Sequence, residues 1–181
     1  MNRFHANLDI PVDYTFPRVV IPDLRFHYHG SLSNPDVCSN LLTWLATLKL
    51  YVHHSEFFYT PPGRTLEPHI DGETINNKVK LNWMSGGQGS CMQWFELKPG
   101  KSLEKGYTVI GTPYSKMKRS DIVLKHEAAI GTPSLVNVGQ IHAIQNRDEP
   151  RYVASYLLGD KATKQILQWD QAINIFKDYV V

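Results

Sequence analysis

Residues 66–72 read Leu-Glu-Pro-His-Ile-Asp-Gly and carry an imidazole and a carboxylate two positions apart, His69 and Asp71. On an extended backbone, residues i and i+2 point to the same side. A ring nitrogen and a carboxylate oxygen can therefore converge on one point. They are two of the three donors of a 2-His-1-carboxylate face, the ligand set that holds non-haem Fe(II) and leaves positions open for other molecules. By itself the triplet also describes ordinary solvated side chains, so the chemistry depends on a third donor elsewhere.

His142, within Val138-Gly-Gln-Ile-His-Ala-Ile-Gln145, is the candidate third donor. Arg151 follows at the head of Arg-Tyr-Val-Ala-Ser-Tyr-Leu-Leu. An arginine in an apolar strand is costly to bury unless it meets an anion. Its planar fork suits a carboxylate. Ser155 lies on the same strand face and adds a hydroxyl. If residues 147–150 form a four-residue hairpin loop, His142 pairs with Ser155, and His142 and Arg151 share a face. A five-residue loop puts Arg151 on the other face unless a bulge corrects it. The local sequence leaves both open.

These side chains need a scaffold. Residues 16–28, broken by Pro17 and Pro22, read as edge strands. Asn34, Pro35 and Asp36 are start signals for a helix, and Val37, Leu41, Leu42, Trp44, Leu45 and Leu48 continue it at helical spacing. Residues 50–59 are rich in aromatic and β-branched types and predict a strand, ended by the turn Thr60-Pro61-Pro62-Gly63. Residues 77–84 alternate, with Val79, Leu81 and Trp83 on one face and Lys78, Lys80 and Asn82 on the other, a half-buried strand. Further strands are expected over 90–97, 107–110, 121–124, 135–138, 141–145 and 151–158, and a helical pattern over 161–180. Many short strands separated by Gly, Pro and Asn turns predict a sandwich or barrel, mainly β with flanking helices.

In chain order, Tyr59 with Pro62 and Gly63, His69 with Asp71, then His142 and Arg151 resemble the Fe(II)/2-oxoglutarate-dependent dioxygenase superfamily. Within it the pattern is similar to the hydroxylase branch, which includes prolyl and aspartyl/asparaginyl hydroxylases. The resemblance spans residues 50–158. It implies a double-stranded β-helix, a jelly roll with the metal in its mouth. It further implies Fe(II) on His69, Asp71 and His142, with O2 and 2-oxoglutarate as co-substrates. Arg151 would pair with the distal carboxylate of 2-oxoglutarate and Tyr59 would hydrogen-bond it. Asn82 and Trp94 would occupy pocket-lining strands, Trp94 on the substrate side. The substrate would be an amino acid, a peptidyl side chain or a small metabolite. The nucleic-acid demethylase branch carries a second arginine shortly after the first. Here that position is Leu157, which argues against repair of alkylated bases.

The 181 residues suit one domain spanning 1–181, with 42% hydrophobic and 20% charged residues. A net charge of +2 is too mild to imply nucleic acid or membrane as partner. The chain has no apolar run of membrane-spanning length, and residues 1–9 lack the apolar centre of a signal peptide. Cys38 and Cys91 sit in unrelated contexts and fit a reducing cytoplasm. Polar stretches 72–77 and 111–119 are expected as lids over the site. Two rivals use the same barrel. A cupin-type metal enzyme places more histidines on its metal, and a non-enzymatic jelly-roll binding module makes His69 and Asp71 incidental. Neither oligomeric state nor substrate identity follows from the residues.

Overall fold

Turn residues cut the β-prone runs into twelve strands among residues 3–181, which the computed structural model describes. They are β1 (His5–Asn7), β2 (Tyr28–Ser31), β3 (Leu50–Thr60), β4 (Thr65–Ile70), β5 (Val79–Gly86) and β6 (Cys91–Leu97). Then come β7 (Glu104–Tyr107), β8 (Pro113–Lys116), β9 (Ile122–Ala128), β10 (Ser134–Asn137), β11 (Ile141–Gln145) and β12 (Arg151–Asp160). Two antiparallel sheets result, in the orders β1-β10-β5-β12-β3-β2 and β7-β8-β4-β11-β6-β9. From β3 to β6, and again from β9 to β12, each strand lies in the opposite sheet from the one before it. This winding is a jelly roll, the double-stranded β-helix expected above.

The main core is on the outer face of the first sheet. There Leu81, Leu135, Tyr156 and Leu158 meet Leu41 and Leu45 of helix α1 (Ser39–Thr47) and Phe176 of helix α2 (Trp169–Phe176). Ile70, Phe95, Ile141 and Ala143 cover the outer face of the second sheet. Between the sheets, Trp94, Met92, Val136 and Val138 close one end, and the other end remains a cavity. No helix among the described residues is long and apolar enough to cross a membrane.

Several local expectations fail for tertiary reasons. Residues 16–28 are not edge strands, because only Tyr28–Ser31 pairs. The proline-bearing segment instead crosses the outer core as irregular chain, with Tyr14 stacked on Trp83 at 4.1 Å. The helix expected from Asn34 is split into a 3-10 turn over Asn34–Asp36, capped by Ser33, and then α1. The strand expected over 107–110 is a turn, closed by Gly111 N–H to Thr108 O at 2.9 Å. The last helix occupies only Trp169–Phe176, since Ile166 and Gln168 make β-bridges to Gly159 and Lys78.

Two departures matter for function. Strand β5 is not half-buried. Its polar face looks across the interior toward the second sheet, where Lys80 meets Asp71, so Lys80 and Asn82 are only 5% and 9% exposed. The hairpin between β11 and β12 does not form. Strand β11 pairs with β4 and β6, whereas β12 pairs with β3 and β5 in the other sheet. Asn146 turns that corner. Its buried amide donates to the carbonyls of Thr60 (3.1 Å), Pro61 (2.9 Å) and Glu149 (2.9 Å), which ties the crossing chain to the end of β3.

Candidate metal centre and anion cavity

Strand β4 carries His69 and delivers Asp71 just beyond its end. Its register against β11 shifts, with His142 opposite His69 but Ile144 opposite Leu66. This bulge turns both Leu66 and His69 into the interior. Asp71 N–H bonds to Val138 O at 3.0 Å, fixing the residue against the chain just beyond β10. His142 and His69 are direct cross-strand partners, with ring centroids 4.4 Å apart.

The three side chains converge. One ligand atom from each of His69, Asp71 and His142 lies within 4.8 Å of the others. The atoms that meet are Asp71 Oδ1 and the two Nε2 atoms, at 3.6 Å from His69 and 3.9 Å from His142. Cis donors around a metal at about 2.1 Å stand about 3 Å apart, so small side-chain adjustments bring this set to coordination distance. The tautomers suit it as well. His69 Nδ1 is 2.7 Å from Glu67 O, and His142 Nδ1 is 2.9 Å from Gln140 O. A carbonyl only accepts, so each Nδ1 carries a hydrogen and each Nε2 is the nitrogen left to face a metal. Burial, then the neighbouring His69, pushes the His142 pKa down to about 4, so the ring is neutral at physiological pH.

Asp71 is ionised. Burial opposes this, but Lys80 and the two imidazoles outweigh it and hold the carboxyl below its usual range. Lys80 Nζ is 2.7 Å from Asp71 Oδ2 and also contacts Glu56 Oε2. Glu56 Oε1 lies 2.9 Å from His29 Nε2 and 3.5 Å from His54 Nε2. Burial alone would raise the Glu56 carboxyl, yet His29 and Lys80 hold it at about 2. Neither Lys80 nor Glu56 was expected at the site.

A cavity runs inward from the triad, lined by Leu66, Met92, Ile144 and Val153 and ending at Asn82, Ser155 and Arg151. Ser155 Oγ is 2.6 Å from Asn82 Oδ1. Arg151 is 4% exposed. Its Nε approaches Met84 Sδ at 3.1 Å, and among the described residues no carboxylate forms an ion pair with it. Burial pulls its pKa down to about 10. Gly87 packs over its stem at positive φ, and a Cβ there would fall 2.8 Å from Arg151 Cγ. The fold thus spends burial on a guanidinium for which it supplies no anion.

A second cavity of about 550 Å³ opens outward and shares Phe58, Leu66, His69, Asp71 and Lys80 with the first. His29 stacks on Phe58 at 4.4 Å in its wall. Tyr107, Val109 and Tyr114, on and beside the β7–β8 turn, overhang it. Part of the expected lid 111–119 therefore does border the mouth, although Pro113–Lys116 is strand. Residues 72–77 line neither cavity, because Asn76 is tied to Gly139 and Gln140.

Two expected site residues line neither cavity. Tyr59 alternates with Phe58 and faces the outer core, where its hydroxyl donates to Leu24 O at 2.7 Å. Tyr59→Phe should cost about 1 kcal/mol of stability from that lost bond, which urea unfolding checks. Trp94 faces inward opposite His142 but is fully buried, with its Nε1 3.3 Å from Asn137 O. It is core at the closed end, not a substrate platform.

No family model matches the chain, and no curated protein matches it. Among solved structures, oxalate oxidase in complex with the substrate analogue glycolate is 14% identical over 91% of this chain and 76% of that one, with a TM-score of 0.32. Pumpkin seed globulin is 13% identical over 84% of this chain and 32% of that one, with a TM-score of 0.33. Escherichia coli ycfD is 10% identical over 66% and 30%, with a TM-score of 0.35. The chain spans about a third of the length of the last two. Likenesses this faint say nothing about what the chain binds or turns over.

Proposed function

We propose that the protein is an Fe(II)- and 2-oxoglutarate-dependent dioxygenase that hydroxylates an amino-acid, peptidyl or small-metabolite substrate. The observation that carries this reading is the pairing, in one cavity, of a His69–Asp71–His142 donor face with the buried guanidinium of Arg151, which no carboxylate among the described residues pairs. Two imidazoles and one carboxylate, with open positions, suit non-haem Fe(II). An isolated interior cation suits the far carboxylate of a dicarboxylic co-substrate.

When bound, the iron would supply a centre at which a keto acid and O2 react together. His69 and His142 would offer Nε2 lone pairs and Asp71 a single oxygen. Arg151 would orient the co-substrate, with the Ser155 and Asn82 pair beside it. Leu66, Met92, Ile144 and Val153 would exclude water from that channel. The substrate would enter by the outer cavity, between the Phe58–His29 stack and the β7–β8 turn. Free Cys38 and Cys91 accord with a reducing cytoplasm as the setting.

The test is release of succinate from 2-oxoglutarate by iron-loaded protein, with a substrate screen for a gain of one oxygen. A cupin-type metal enzyme would turn over without 2-oxoglutarate. A binding module would neither hold iron tightly nor release succinate.

A further inference from the structure

We propose that Lys80 is a positioning residue for Asp71, occupying one carboxylate oxygen so that the other faces the metal alone. The inference rests on the metal reading above. Asp71 divides its two oxygens: Oδ1 faces both imidazoles, at 3.6 and 3.9 Å, while Oδ2 receives the Lys80 ammonium at 2.7 Å. A carboxylate can ligate through one oxygen or through both. An ammonium donating to Oδ2 uses its lone pair and repels a second cation approaching that oxygen.

The ammonium has nowhere else to go. The Lys80 side chain is 6% exposed and lies over the Phe58 ring at 5.7 Å, and its other ion-pair partner is Glu56, which is 2% exposed and is held in turn by His29. Lys80 on β5 and Glu56 on β3 both belong to the first sheet, whereas Asp71 follows β4 in the second. The Lys80–Glu56 pair is thus a bracket reaching from one sheet to fix a ligand carried by the other. It explains why a strand with a fully covered face retains a lysine, whose burial would otherwise be costly. Its consequence is one more open position on the metal.

Mn(II) is the probe, since its relaxation of solvent protons reports how many exchanging waters it carries. Six-coordinate Mn(II) on three single-atom ligands keeps about three waters in the wild type. Lys80→Met should lower this to about two, as Oδ2 closes onto the metal, and Lys80→Arg should restore about three. Equal water counts in the wild type and Lys80→Met would overturn the proposal while leaving the metal centre standing. Failure of folded wild-type protein to bind Mn(II) would overturn both. Should Lys80→Met not fold, the wild type still decides. Infrared difference spectra of aspartate-labelled protein, with and without Mn(II), should show the wide carboxylate band splitting of single-oxygen ligation, and the narrow splitting of two-oxygen ligation would refute it.

Discussion

His142→Ala should fold normally and lose metal. Iron affinity should fall by more than about 100-fold, because losing only a supporting partner of a ligand already costs about 10–100-fold, and here a ligand itself goes. The reason lies in how the face is built. His142 and His69 are cross-strand partners at the centre of the second sheet, so no other imidazole can swing into the gap. His27 and His29 lie in the outer cavity wall, and His29 is held by Glu56 at 2.9 Å. The β11 backbone keeps its pairing with β4 and β6, so circular dichroism should match the wild type while equilibrium dialysis against Fe(II) or Mn(II) shows the loss. Retention of metal at wild-type affinity would remove His142 from the ligand set.

Arg151→Met has two expected effects of opposite kind. The affinity for 2-oxoglutarate should fall about thirty-fold to several-thousand-fold, the range expected when one partner of a desolvated charge pair is truncated at about 2–5 kcal/mol. The ligand-free protein should be at least as stable as the wild type in urea. Arg151 is 4% exposed and pairs with no carboxylate among the described residues, and an apolar side chain of similar length removes a buried charge without opening a hole. An arginine serving only the fold would behave the other way, costing stability and leaving ligand affinity alone. Isothermal titration and urea unfolding on the same preparation separate the two.

The residues that converge on the cavity were the easiest part of the chain to single out. His69 and Asp71 declare themselves by a two-residue spacing, and His142 and Arg151 by being polar in otherwise apolar strands. Their convergence depends on strand crossing. Strands β11 and β12 belong to different sheets, and the two residues meet across the cavity rather than along a hairpin. Tyr59 was misplaced because Phe57, Phe58 and Tyr59 are aromatic on both strand faces, which leaves the inward parity undetermined until β3 is paired. Lys80 and Glu56 were missed for a related reason. Alternation marks a polar face, but only the packing of the second sheet over it, where Lys80 meets Asp71 beyond β4, shows that this face points into the protein. Glu56, next to three aromatic residues, was the available clue, since a carboxylate in such a strand calls for a buried cation.

The account depends on one cavity holding a metal face at one end and a cation for the co-substrate at the other. Anaerobic addition of 2-oxoglutarate to iron-loaded protein tests this most directly, because a keto acid chelating Fe(II) produces a weak visible charge-transfer band. The band should appear in the wild type with one equivalent of iron, require far more 2-oxoglutarate in Arg151→Met, and be absent from His142→Ala. Folded wild-type protein that holds iron and gives no band at saturating 2-oxoglutarate would contradict the account.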